Sequence, residues 1–298
     1  MDDQTKHIIE GRKTFFITPD VSLLPETYLE DFMTRGYETY IINDDRFCPI
    51  TKKVEIIINT FPDSILFFYI DTQIEGIDWP VYIKRLHEHC EGKVLIGVLY
   101  AKRTNEAQKK KLEKYYLFDI GIQCGCISLE YQKSKNFALI DAILYANQAC
   151  GRRKTVRALC DANSKALFET ASGVEKGKIL DISMSHFSCV FDNPPDIKMY
   201  EKIKRTMLNI NGLHFMSDTI LLMTRTTETS GLYIFVFANS VGQQGLDPDS
   251  KDRLTRKIYL MISEKAKKLM QSKFDEARKE LQKATPFARN FVASDFFN

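Results

Sequence analysis

Two short clusters of residues carry most of the chemistry this chain can offer. Gly151-Arg152-Arg153-Lys154-Thr155-Val156-Arg157 sets three arginines in an RRxxxR run. Asp181-Ile182-Ser183-Met184-Ser185-His186 follows, with Asp181 twenty-four positions after Arg157. Guanidinium groups fork onto phosphate oxygens and stack their planes on bases. A carboxylate and a hydroxyl two residues apart add directed acceptors and one donor. Each cluster also has a bland origin: a charged linker produces RxxxR by chance, and Asp-x-Ser at a strand end often caps a turn. The net charge is only +3, too near neutral for wholesale binding to a nucleic acid polymer or an anionic membrane, so an anion site here must be local.

The surrounding pattern divides the chain. Up to residue 148, short apolar runs alternate with longer amphipathic stretches. Lys13–Thr18, Tyr37–Asn43, Ser64–Asp71, Lys93–Tyr100 and Phe118–Ile127 read as strands. Helices are expected at Pro25–Arg35, Pro80–Cys90, Asn105–Tyr116 and Ser134–Asn147, with Thr51–Thr60 helical or mixed. Strands apolar on both faces and separated by helices predict a parallel five-stranded α/β sandwich over residues 1–148. From Thr155 to Asn239 the chain becomes a series of short β-rich runs, Leu213–Ser217 and Thr219–Thr226 among them, with Asn211-Gly212 a strong hairpin signal. That spacing predicts an antiparallel β-barrel. Past Asp249 a helical period returns, with Leu254, Ile258, Ile262 and Leu269 as its apolar stripe. Residues 149–285 are therefore expected to form a barrel with a C-terminal α-helix, followed by an aromatic tail, 286–298, bearing Phe287, Phe291, Phe296 and Phe297.

Other chemistry is poorly supported. No GxGxxG or Walker-type loop occurs, and no GxSxG elbow. The five histidines make no HExxH pattern. The seven cysteines form no CxxC pair and read as reduced core thiols. The first thirteen residues lack the apolar core of a signal peptide, and no apolar run approaches a membrane span. The expectation is a cytoplasmic protein that is not an enzyme, with no membrane insertion, metal or cofactor.

The first half resembles a response-regulator receiver domain in layout, over about 135 residues. Its motifs depart from that family. Thr18-Pro19-Asp20 gives one acid where a pair should hold Mg²⁺, Phe68 stands at the phosphoacceptor spacing with Asp71 three residues on, and no lysine follows the fifth strand before Lys133. The half reads as a pseudo-receiver without a phosphorylation site. The second half, residues 150–270, resembles the PilZ domain: RxxxR before a barrel, D/NxSxxG at the end of an early strand, the Asn-Gly hairpin and a terminal helix.

The resemblance implies a bacterial receptor for cyclic di-GMP, with Arg152, Arg153, Arg157, Asp181, Ser183 and His186 as ligand-binding residues. Arg153 and Arg157 would close over phosphates and guanine O6 and N7, and Arg152 would be a further arginine for an intercalated ligand dimer. Asp181 would accept from guanine N1 and N2, and Ser183 would donate or accept. His186 departs from the family pattern, which has glycine there. Its ring either alters the turn and fills part of the guanine site or stacks on the base. Two alternatives stay open: a degenerate PilZ scaffold that binds an unidentified protein partner without nucleotide, and a phosphorelay receiver with a barrel output domain.

Overall fold

A computed structural model describes residues 11–90, 92–102, 105–150, 156–226, 231–239 and 244–283. They form two compact units that divide near residue 154, and Ala266–Lys283 belongs again to the first unit.

The first unit is built on a parallel sheet of β1 (Thr14–Ile17), β2 (Thr39–Ile42), β3 (Ile65–Tyr69), β4 (Leu95–Tyr100) and β5 (Cys126–Ser128), in the order β2-β1-β3-β4-β5. Helices α1 (Thr27–Thr34), α2 (Ile50–Thr60), α3 (Trp79–Cys90), α4 (Glu106–Glu113) and α5 (Lys133–Ala146) connect or follow the strands. Strand alternation explains why both sheet faces are apolar. Phe15, Leu66 and Phe68 enter one core with Val54 and Ile57 of α2 and Ile83 of α3. Their neighbours Phe16, Ile65 and Phe67 enter the other with Phe32 of α1 and Ile140 of α5. Gly97 of β4 makes room for this: a Cβ there would lie 2.5 Å from the Phe67 ring. The expected strand Phe118–Ile127 is mostly not a strand. A π-helical turn, Lys114–Ile120, extends α4, leaves Phe118 exposed, and ends at Gly121 in the left-handed region with φ 84°.

The second unit is a closed antiparallel barrel. Strands β7 (Lys165–Thr170), β8 (Gly173–Ile182), β9 (His186–Val190), β10 (Lys202–Ile210), β11 (Leu213–Thr226) and β12 (Gly231–Ala238) form the ring, and β8–β9 pairing closes it. The short β6 (Ala158–Leu159) pairs with the end of β8, beyond the stretch that pairs with β7. The core is a stack of phenylalanines, with Phe235 at 4.6 Å from Phe168 and 5.3 Å from Phe187 between ring centroids. Asn211 (φ 46°) and Gly212 (φ 88°) turn the β10–β11 hairpin. The runs Leu213–Ser217 and Thr219–Thr226 are one strand. Asp218, which breaks the apolar pattern, accepts the Arg205 amide at 2.9 Å, where β10 bulges with Arg205 at φ 53°.

Helix α6 (Pro248–Lys283) starts with Asp247 accepting the Ser250 amide at 3.0 Å. Leu254 and Ile258 are buried in the barrel core. Ala266, Met270, Phe274 and Ala277 belong to the core of the first unit instead. Leu269, expected on the apolar stripe, is exposed, and Met270 takes the buried place.

Asp45 anchors this second half of α6. Its Oδ2 accepts from the buried Lys53 at 2.6 Å and lies 3.7 Å from Arg278, and Lys53 stands over the Phe274 ring. Burial pushes the Asp45 carboxyl up, but the Lys53 hydrogen bond and the Cys48 and Phe47 amides outweigh it and leave it below its usual value of 3.8. A carboxyl depressed in the folded state stabilises above its unfolded pKa, and that stabilisation is lost as pH falls through the folded one. Asp45→Asn is expected to cost about 1 kcal/mol at pH 7, allowing for partial exposure of the pair. It should also flatten the fall of Tm below about pH 4. Melting curves of both proteins across pH 2.5–7 check this, and parallel curves would remove Asp45 from the acid response.

Among the described residues, no helix is long and apolar enough to cross a membrane, and no group of three His, Cys, Asp or Glu is placed to hold a metal ion. All seven cysteines are free thiols. Burial raises every one of them, to about 12 at Cys124, Cys126 and Cys160.

Candidate functional site

Arg157, the last arginine of its run, meets the Asp-x-Ser cluster at one end of the barrel. β6 pairs with the end of β8, Ala158 opposite Ile182 and Leu159 opposite Asp181, which sets Arg157 beside the β8–β9 turn. The ladder between β8 and β9 shifts register between Ile179 and Asp181, a bulge that re-aims the aspartate as the strand ends. Arg157 Nε lies 3.3 Å from Asp181 Oδ1. The other carboxylate oxygen, Oδ2, accepts from Ser188 Oγ at 2.6 Å. Asp181 Oδ1 is enclosed and, among the described residues, has no hydrogen-bond partner, so the arginine contact is an ion pair without an aligned hydrogen bond.

Ser183 is buried, and its hydroxyl serves the turn. Its Oγ lies 3.2 Å from the His186 amide and 3.0 Å from the His186 carbonyl, and the Ser183 amide donates to that carbonyl at 2.8 Å. Histidine is therefore compatible with this turn, since the backbone closes through Ser183. The His186 ring lies against the site: Arg157 Nη2 hydrogen-bonds His186 Nε2, and His186 Nδ1 lies 2.8 Å from Ser185 Oγ and 3.1 Å from Ser183 Oγ. Arg157, Asp181, Ser183 and His186 thus come together, whereas Arg152 and Arg153 lie outside the described residues. Sequence reading missed Ser185 and Ser188. Ser188 was within reach, because a turn over 183–186 sets residue 188 opposite 181.

A second polar crevice, of about 380 Å³, opens in the first unit and is lined by Asp20, Tyr69, Asp71, Thr72, Gln73 and Lys102. It lies at the carboxyl ends of β1 and β3, where the strand order reverses, the usual ligand position in such sheets. Its acids are engaged locally. Asp71 Oδ2 accepts the Ala101 and Lys102 amides at 2.7 Å each, tying the end of β3 to that of β4. Asp20 Oδ1 accepts the Ser22 amide at 2.9 Å.

No family model matches the chain, and no curated protein does. Several solved structures are similar to it. The PilZ domain of YcgR from Escherichia coli, determined with c-di-GMP, is 15% identical over 40% of this chain and 97% of its own, with a TM-score of 0.32. The K. pneumonia MrkH–c-di-GMP complex is 16% identical over 39% of this chain and 55% of its own, with a TM-score of 0.33. The Bacillus subtilis inhibitor of motility MotI/DgrA is 9% identical over 36% of this chain and 49% of its own, with a TM-score of 0.29. This chain therefore spans about half the length of MrkH and MotI. The parallel five-stranded sheet, the closed six-stranded barrel and the helix after it are the architecture that the receiver and PilZ resemblances implied.

Proposed function

We propose that this protein is a non-enzymatic receptor for cyclic di-GMP, with the ligand held at the β8–β9 turn by Asp181 and by the arginines of the 152–157 run. The observation that carries the reading is the Asp181 carboxylate. One oxygen is oriented by Ser188, while the other is enclosed without a hydrogen-bond partner among the described residues. A buried acceptor left in that condition is costly. The Watson–Crick edge of guanine offers donors at N1 and N2 that suit it, and the phosphodiesters of the cyclic dinucleotide suit Arg157. Arg152 and Arg153 would add the cationic contacts that a ring with two phosphodiesters needs, and Ser183 would shape the turn. The first unit would serve as a receiver-like partner module without phosphoryl transfer, in keeping with the backbone duties of Asp71 and Asp20.

Titration calorimetry of the full chain with cyclic di-GMP tests the reading. Saturable heat at micromolar ligand is expected, and none up to 1 mM sinks it. A second reading is favoured by one observation: Arg157 is held by His186 and Asp181, so the site residues partly satisfy one another. On that reading the barrel is a scaffold for a protein partner and binds no nucleotide.

A further inference from the structure

Among the described residues Arg157 has two holders, and one of them departs from the pattern. Asp181 belongs to the ligand motif, whereas His186 stands where that motif has glycine. The chemistry of the His186 contact fixes the tautomer. A guanidinium only donates, so the ring nitrogen facing it, Nε2, must accept. The proton of the neutral ring then sits on Nδ1, which donates to Ser185 Oγ at 2.8 Å. The ring cannot easily turn away. Its backbone is pinned by Ser183 at the turn, and its strand residue faces Val236 of β12. The result is a chain of contacts from Ser185 through His186 to Arg157, ending over the enclosed Asp181 oxygen.

We infer that His186 is the affinity-setting residue of this site: its ring competes with the ligand for Arg157 and holds that arginine over Asp181. The inference rests on the receptor reading and deepens it. For a guanine to reach Asp181 Oδ1, the Arg157 side chain has to swing off both groups. For Arg157 to meet a phosphate, the bond to His186 has to break. Glycine or alanine at 186 removes the competing acceptor and leaves Asp181 and Arg157 in place. The ligand then meets an arginine with one holder fewer.

The test is calorimetry of cyclic di-GMP with the full chain, comparing the parent protein, His186→Ala and Ser185→Ala. Loss of one hydrogen bond to a charged group predicts His186→Ala to bind about tenfold tighter. Ser185→Ala loosens the ring without removing it, so a smaller gain of about threefold is expected. It also provides a second route if His186→Ala fails to fold. If the parent binds and His186→Ala binds equally or more weakly, the inference is overturned and the receptor reading stands, with His186 then a ligand contact. If only the variants bind, the receptor reading falls for the parent protein, and His186 is the group that closes its site. If none of the three gives heat up to 1 mM ligand, both the inference and the receptor reading fall.

Discussion

Asp181→Ala is expected to weaken cyclic di-GMP binding about 100-fold, a loss of roughly 3 kcal/mol, because it removes both the acceptor for the guanine edge and the anion beside Arg157. Asp181→Asn keeps an acceptor oxygen but exchanges the charge for an amide, so it should cost less, about tenfold. Ser188→Ala, which releases Asp181 Oδ2 from its 2.6 Å contact, should fall between the parent and Asp181→Asn. Arg157→Ala tests the other half of the pair and should differ in kind. If Arg157 meets phosphate, its contribution shrinks as salt rises, while that of Asp181 changes little. Affinities at 50 and 500 mM salt separate the two. Unchanged affinity in both alanine variants, with normal melting curves, would mean that the ligand sits elsewhere.

The second large effect is on stability. Phe235 is fully buried and packs against Phe168, Phe187 and Phe191, the centre of the barrel's aromatic stack. Phe235→Ala is expected to cost about 3–5 kcal/mol, through lost transfer free energy and the cavity left among rings that cannot collapse far. The chain supplies its own reference probe. Its single tryptophan, Trp79, is buried in the first unit beside Phe68 and Tyr82. Urea unfolding followed by tryptophan emission reports that unit, and far-ultraviolet circular dichroism reports both. The early loss should therefore appear in the dichroism. A change under 1 kcal/mol would show that the stack does not carry the barrel.

Much of the fold was legible in residue pattern. Doubly apolar strands marked a covered parallel sheet, and Asn211-Gly212 marked a hairpin, because both signals depend only on neighbouring residues. The failures share one cause, a partner far along the chain. Asp218 looked like a strand break because its partner, the Arg205 amide at the β10 bulge, lies thirteen residues earlier. The backbone duty of Asp71 was out of reach for the same reason, because the amides it accepts are thirty and thirty-one residues later. The stripe of α6 was read as continuous through Leu269, but the helix changes the core it packs into near Ala266 and turns Met270 inward. At the site, the residue types were readable and so was the anomaly at His186. The bond from Arg157 to that ring was not, since it depends on β6 pairing with β8 across the β7 excursion.

The return of α6 to the first unit bears on how the chain is made. Met270, Phe274 and Ala277 complete the core that includes Ile50 and Val54, yet they are synthesised only after the entire barrel. At ordinary elongation rates that interval is on the order of ten seconds, long compared with the folding of a small parallel sheet. During it, the nascent first unit holds an uncovered apolar face, and the barrel folds between two parts of a domain still waiting to close. Truncation just before Ala266 would leave Ile50 and Val54 without those three side chains, so the first unit of the shortened protein is expected to be less stable than in the full chain.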